Sequence, residues 1–274
     1  MKKSTGDALR LNGKLQLEGF AMKELIRSLL RRCGFELGRY HLIDGKPPRL
    51  RDLSDADIAI LDKIAPYTMT SVERQTELLA AIHHLVHHNI GGSIVECGVW
   101  RGGGCMAAAL ALLDDNAFDR DIYLYDTFLG MTAPTEADKR AEDGLTAQTC
   151  LDRSTDKTTA IWCVANLDDV RTNMAATGYP AHLIHYVEGP VETTIPANLP
   201  KAPIALLRLD TDWYESTRHE LEYLFPLVAD GGIVIIDDYG HWAGARRAVD
   251  EYLVGLPKKY FLHRVDYTCR SFMK

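Results

Sequence analysis

The chain has 274 residues, 46% of them apolar, and a formal net charge of −7. That length holds one large α/β domain with additions, or two small domains, and the acidic balance argues against a nucleic-acid partner held through phosphate contacts. Six cysteines without a C-x-x-C pair predict free thiols in a reducing compartment. No window approaches the roughly 18 apolar residues of a membrane span, so a cytoplasmic protein without stable membrane insertion is expected.

Residues 1–65 read as an N-terminal helical arm. The first stretch is polar and aperiodic; then Phe20, Leu25, Ile26, Leu29 and Leu30 recur at helical spacing, with Lys23, Arg27, Arg31, Arg32 and Arg39 making the arm basic. Such a helix either lies in a membrane interface or, as its short length favours, packs on the main domain or a neighbouring subunit. A homo-oligomer is the expectation. After Pro47 and Pro48, SDADIAILDKIAP predicts a helix capped by Ser54 and ended at Pro66. In YTMTSVERQTELLAAIHHLVHH, Thr70 or Ser71 caps a second helix, and Thr70 with Glu73 has capping-box spacing. His83, His84, His87 and His88 at its end include i, i+4 pairs of the kind that hold zinc, but no third ligand is evident nearby.

The main domain, residues 66–274, is organised around SIVECGVWRGGG. Apolar residues suited to a buried strand surround Glu96, and Gly98, Gly102, Gly103 and Gly104 break the run before a helical pattern. Strand, glycine turn and helix let a backbone approach a ligand closely and aim helix N-terminal donors at it. The order E-x-G-x-x-x-G-G-G departs from the dinucleotide fingerprint; it suits a nucleoside with an amino-acid tail, whose ammonium can pair with Glu96. DIYLYDTF is the next strand and ends in Asp126, where a carboxylate can accept hydrogen bonds from ribose hydroxyls. Residues 129–160 carry few periodic apolar positions and read as a long insertion, a lid in character. NLDDVRTNMAATGYP returns to helix, AHLIHYVEGPV and PIALLRLD are strands, STRHELEYLFPLV a helix, GGIVIIDDYG a strand and AGARRAVDEYLVG a helix. The tail from Tyr260 to Met273 closes the sheet with one or two strands. Strand and helix alternate throughout, which predicts a doubly wound sheet.

Chemistry in such a sheet sits beyond the C-terminal strand ends. Asp210 and Asp212 end one strand; Asp237 and Asp238 end the next. Convergence of Asp210, Asp237 and Asp238 without compensating bases would be strongly repulsive, and a hard divalent cation resolves the repulsion, Mg²⁺ ahead of Ca²⁺ or Mn²⁺. Alternatively, Asp212 caps the following helix and Asp238 the turn at Gly240.

Five blocks, YTMTSVER (67–74), IVECGVWRGG (94–103), LYDTFLGM (124–131), LRLDTDWYEST (207–217) and GGIVIIDDYGHWAGARRAVDEY (231–252), resemble the macrocin O-methyltransferase family of S-adenosylmethionine- and Mg²⁺-dependent sugar methyltransferases of natural-product pathways. The resemblance implies an α/β fold, a doubly wound Rossmann-like class I methyltransferase sheet with an N-terminal helical extension and a lid insertion. It implies that Glu96, Gly98, Trp100, Arg101, Gly102 and Gly103 turn around the methionine part of S-adenosylmethionine, that Asp126 and Thr127 hold its ribose, and that Thr68 and Met69 cover it. Asp210, Asp237 and Asp238 would ligate Mg²⁺, Asp212 would be the catalytic base, and the acceptor would be a hydroxyl on a small glycosylated molecule. A catechol-type methyltransferase acting on an aromatic diol and a metal-dependent hydrolase using the acid cluster are the alternatives. The acids at 210, 212, 237 and 238 count against a non-catalytic binding module.

Overall fold

The computed structural model describes residues 50–154, 156, 160–201 and 203–274. The helix expected over residues 20–30, the basic arm and the oligomer contact inferred from it lie outside these residues. One compact unit spans Leu53–Lys274; the helix at residues 55–64, expected to belong to the arm, is therefore part of the main body.

Helix α1 (Asp55–Ile64) starts at Ser54, whose hydroxyl takes the Asp57 amide while the Asp57 carboxylate reaches back to Ser54. Helix α2 (Val72–His87) is capped by Ser71, which accepts the Arg74 amide. The Thr70–Glu73 box does not form, because the Thr70 hydroxyl is bonded to that of Thr68 in the preceding loop. The chain then runs β1 (Ser93–Cys97), α3 (Gly103–Asp114), β2 (Ile122–Asp126), α4 (Ala147–Arg153), α5 (Leu167–Ala175), β3 (Ile184–Glu188), α6 (Val191–Thr194), β4 (Ile204–Leu209), α7 (Tyr214–Tyr223), β5 (Val228–Ile236), α8 (Ala243–Val254), β6 (His263–Arg264) and β7 (Arg270–Met273). β5 begins earlier than the glycine pair at 231–232 suggested, since the segment Phe225–Leu227 is a short 3₁₀ turn that feeds the strand directly.

The seven strands lie in the order β3-β2-β1-β4-β5-β7-β6, as expected of a class I methyltransferase sheet. β1 to β5 are parallel and β7 runs antiparallel to β5 and β6. β1 and β4 are buried along their whole length, as strands covered on both faces must be. The chain leaves β1 towards β2 and leaves β4 towards β5, so the loops part above Cys97 and Leu209 and open a crevice at the switch point.

Between β2 and α5 the expected insertion is anchored to the body and contains α4. Lys139 pairs with Thr146, Arg140 with Trp242, and Asp138 is fully buried. No helix among the described residues is long and apolar enough to cross a membrane.

His83 belongs to the scaffold. Its ring lies 2.9 Å from Asp57 Oδ1 and 2.7 Å from Asp115 Oδ2, tying α1, α2 and the end of α3 together. Burial alone would lower its pKa, but the two carboxylates outweigh burial and the net shift is upward. A histidine whose folded pKa is raised stabilises fully below its unfolded value of 6.5 and loses that contribution as pH rises through the folded value. His83→Gln should therefore lower the Tm more at about pH 6 than at about pH 9, measured by thermal melts across pH; a constant deficit would overturn the charged-bridge assignment.

Candidate active site

The crevice is built first by glycine. Gly98, directly after β1, has φ +80°, and a Cβ there would stand 2.0 Å from the Asp210 carbonyl oxygen. A Cβ on Gly104 would stand 2.5 Å from Glu96 Oε1. These two positions let the ends of β1 and β4 touch and let α3 start against a carboxylate. The resulting cavity of about 210 Å³ is lined by Thr68, Met69, Glu96, Gly98, Trp100, Gly103, Asp126 and Thr127 on one side and by Asp210, Asp212, Asp237 and Asp238 on the other.

Two of the expected binding residues lie outside it. Arg101 donates to Asp169 on α5 at 2.8 and 3.0 Å and to the Pro66 carbonyl, with Tyr67 under its guanidinium. Gly102 faces Val170 and Met174. Arg101 clamps the glycine turn to α5 and to the loop before α2, and Gly102 lets the turn lie close against α5. Two others carry duties that their sequence positions did not foretell. Asp126 accepts the amides of Val99 (2.8 Å), Trp100 (3.2 Å) and Phe128 (2.7 Å), and so braces the loops after β1 and β2 against each other. Glu96 is only 3% exposed; Arg208 and the Cys105 thiol both donate to it. It is thus already ion-paired at the floor of the cavity, where a free carboxylate was expected to await an ammonium.

Arg208 is a site residue that motif spacing did not reveal. It sits in β4 directly beside Glu96 in the strand register and also contacts Asp210 Oδ2 at 2.8 Å and Asp237 Oδ1 at 2.7 Å. Arg74 of α2 pairs with Asp237 as well, and with Asp266 at 3.1 Å. The acids therefore do have compensating bases, contrary to expectation. An arginine alone in the otherwise apolar strand IALLRL was the signal available in the sequence.

The compensation is partial. Asp210, Asp237 and Asp238 each offer an oxygen within 4.8 Å of the others, and no other group of three or more His, Cys, Asp or Glu among the described residues does so. Asp238 Oδ2 is buried without a hydrogen-bond partner. Burial raises the pKa of Asp210 and of Asp238 well above the ordinary range, and neighbouring carboxylates add to the rise. An orphaned anionic oxygen among hard oxygen donors fits a divalent cation such as Mg²⁺.

Asp212 stands beside this group with φ +66°. Its Oδ1 accepts the Trp242 indole N–H at 2.6 Å, and burial pushes its pKa up to about 6. Neither alternative cap forms: the Tyr214 amide at the start of α7 is taken by Asp138 at 2.8 Å, and the Asp238 backbone carbonyl, not its carboxylate, receives the amides of His241 and Trp242. Trp100, Phe128 and Cys163 share the left-handed backbone, at φ 47°, 54° and 46°, and Trp100, Cys163 and Asp212 all line the cavity. Strain of about 1–3 kcal/mol per residue collected at one place marks a functional site.

A family model for macrocin O-methyltransferase matches residues 55–274. The chain belongs to the macrocin O-methyltransferase family. Among the relatives of this family member, the 8-demethyl-8-(2,3-dimethoxy-alpha-L-rhamnosyl)-tetracenomycin-C 4'-O-methyltransferase of Streptomyces olivaceus is 33% identical over 214 residues, covering 76% of this chain and 74% of the relative. The demethyldecarbamoylnovobiocin O-methyltransferase of Streptomyces niveus is 30% identical over 186 residues, 68% of this chain and 67% of that one. The solved structure of the O-methyltransferase NovP is similar with a TM-score of 0.65 at 28% identity, covering 76% of this chain and 82% of that chain.

For this macrocin O-methyltransferase family member the acid cluster makes a stability claim. Arg208→Met strands Glu96, Asp210 and Asp237 in a buried site and should cost about 3–5 kcal/mol. Arg74 has a side chain 17% exposed, so Arg74→Met should cost clearly less. Urea unfolding of both variants compares them; equal losses would refute the role of Arg208 as the buried hub.

Proposed function

We propose that this macrocin O-methyltransferase family member moves a methyl group from S-adenosylmethionine to a hydroxyl of a sugar on a natural product or glycan, and that the transfer depends on Mg²⁺. The observation that carries the reading is the juxtaposition, at one switch-point crevice, of the glycine-built cavity with Asp210, Asp237 and Asp238 and with Asp212. The names of the relatives support the substrate class, since the Streptomyces olivaceus enzyme is named for a rhamnosyl tetracenomycin.

In this reading Thr68, Met69, Glu96, Gly98, Trp100, Gly103, Asp126 and Thr127 surround the methyl donor, and Asp210, Asp237 and Asp238 would hold Mg²⁺. S-adenosylmethionine supplies a methyl group already activated by a sulfonium, and Mg²⁺ supplies Lewis acidity that lowers the pKa of a hydroxyl. The protein has to place the acceptor oxygen in line with that methyl and relieve it of its proton. Asp212 is suited to taking the proton. Trp242 holds one of its oxygens, Asp238 is its other hydrogen-bonding neighbour, and burial raises its pKa, which makes it a stronger proton acceptor than an ordinary carboxylate. Glu96 stays paired with Arg208 and keeps that guanidinium from neutralising the metal-side acids completely. Tyr67 and Arg101 act at one remove, by fixing the loop that carries Thr68 and Met69.

Two measurements test the reading. Calorimetric titration of S-adenosylmethionine, with and without Mg²⁺, should give binding to the wild type, retained binding in Asp210→Ala and lost binding in Glu96→Ala; absence of binding to the wild type would overturn the methyltransferase chemistry and favour a metal-dependent hydrolase. Asp212→Asn should keep donor affinity and lose at least about 100-fold in turnover, within the usual range for a general base, assayed on a panel of sugar diols and catechols. Undiminished turnover would refute the base, and preference for catechols would replace the sugar acceptor.

A further inference from the structure

The segment between β2 and α4 is held by elements that begin immediately after the reacting acids. The Asp138 carboxylate is fully buried; it accepts the Tyr214 amide at 2.8 Å and the Thr135 amide and hydroxyl at 2.7 and 2.9 Å. Gly244 leaves it no spare room, since a Cβ there would stand 2.1 Å from Asp138 Oδ1. Asp138 thus joins the segment to the first turns of α7 and α8 together. The Ala243 amide donates to the Lys139 carbonyl at 2.8 Å, and Trp213 Nε1 donates to the Thr132 carbonyl at 3.1 Å.

The tryptophans that follow the catalytic acids complete this strap. Trp213 and Trp242 meet edge to face with ring centres 5.0 Å apart, in a small buried cluster with Ala147 and Ala245. Trp213 points its N–H at the strap, whereas Trp242 points its own at Asp212 Oδ1, 2.6 Å away. An indole N–H has no acceptor role and, once ring packing has fixed its direction, can bond to only one place. Asp212 itself lies on left-handed backbone with φ +66°, so neighbouring secondary structure does not dictate its side-chain direction.

From this geometry we infer that Trp242 is a positioning residue for Asp212: its indole N–H occupies one carboxylate oxygen and turns the other to the acceptor, and edge-to-face packing on the ring at position 213 fixes the direction of that N–H. The inference rests on the reading of Asp212 as the base. A ring without the N–H should retain the packing and lose the aim. Trp242→Phe is expected to lose about 10–100-fold in kcat, the scale of one hydrogen bond to a charged group, while KM for S-adenosylmethionine changes by less than about threefold. Trp213→Phe loses an N–H from the same aromatic pair without touching Asp212, and is expected to keep kcat within about threefold of wild type.

The test begins without any ligand. In protein labelled with ¹⁵N-tryptophan, the indole resonance missing from Trp242→Phe should be the one that shifts most in Asp212→Ala. Turnover is then measured with S-adenosylmethionine and the best diol from the acceptor panel. A resonance that stays in place in Asp212→Ala, or a Trp242→Phe enzyme with wild-type kcat, would overturn the inference. Equal losses in Trp213→Phe and Trp242→Phe would also overturn it, because the effect would then belong to the packing of the pair. Failure of the base reading has a separate signature: Asp212→Asn would turn over normally while the indole resonance still shifted.

Discussion

The guanidinium of Arg208 is buried among carboxylates from three adjacent strands. It meets Glu96 at the end of β1, Asp210 just beyond β4 and Asp237 just beyond β5. Isolated in a protein interior, any one of these charges would be costly to desolvate; together they are tolerable only with close geometry and satisfied hydrogen bonds. That requirement constrains the register of the sheet centre, because Glu96 and Arg208 meet only when β1 and β4 pair as they do. A slip of one residue in either strand would turn a charge towards the opposite face. The pair therefore links the floor of the glycine-built cavity to the acids on its far wall, and both halves of the site inherit their alignment from it.

The same arginine explains how an acid-rich crevice survives in the folded protein. Arg208 and Arg74 answer part of the negative charge of Glu96, Asp210, Asp212, Asp237 and Asp238, and they hold Asp237 from two directions. What they leave unanswered is localised: Asp238 Oδ2 is buried and unbonded, and the rise in the Asp210 and Asp238 pKa values comes from burial first, with carboxylate neighbours adding to it. Full compensation by arginine would leave no site for a cation, and no compensation would make the fold untenable. The observed intermediate state is the charge balance that the proposed cation site calls for.

Around this centre the backbone is held under tension that the periphery absorbs. Trp100, Phe128, Cys163 and Asp212 take left-handed conformations that bulky residues avoid, and several are locked from outside. Asp126 braces the first two, through the Trp100 and Phe128 amides. Arg101 pins the turn between Trp100 and α3 by pairing with Asp169. Asp138 occupies the N-terminus of α7, the place where Asp212 would otherwise have served as an ordinary cap. The segment from Thr132 to Leu145, low in apolar periodicity, is consequently part of the scaffold of the site.

Much of this was legible in the chain itself. Alternating apolar runs and amphipathic segments determined the α/β class and the order of the elements, because burial on both faces of a parallel strand demands continuous apolar residues, and Glu96, Asp126, Asp210, Asp237 and Asp238 declared themselves as acids at strand ends. The glycine run marked where the backbone must approach closely. Tertiary structure alone decided which polar groups meet. Arg74 lies 163 residues from Asp237 in sequence, and Trp242 lies 30 from Asp212; neither spacing corresponds to any local repeat. Arg101, expected from its place in the glycine turn to stand beside the cofactor, pairs with Asp169 on α5, since a long flexible side chain is aimed by its distant partner and not by its own backbone. Local periodicity is written in the sequence, whereas charge pairing across the sheet depends on register and packing, which exist only once the chain has folded.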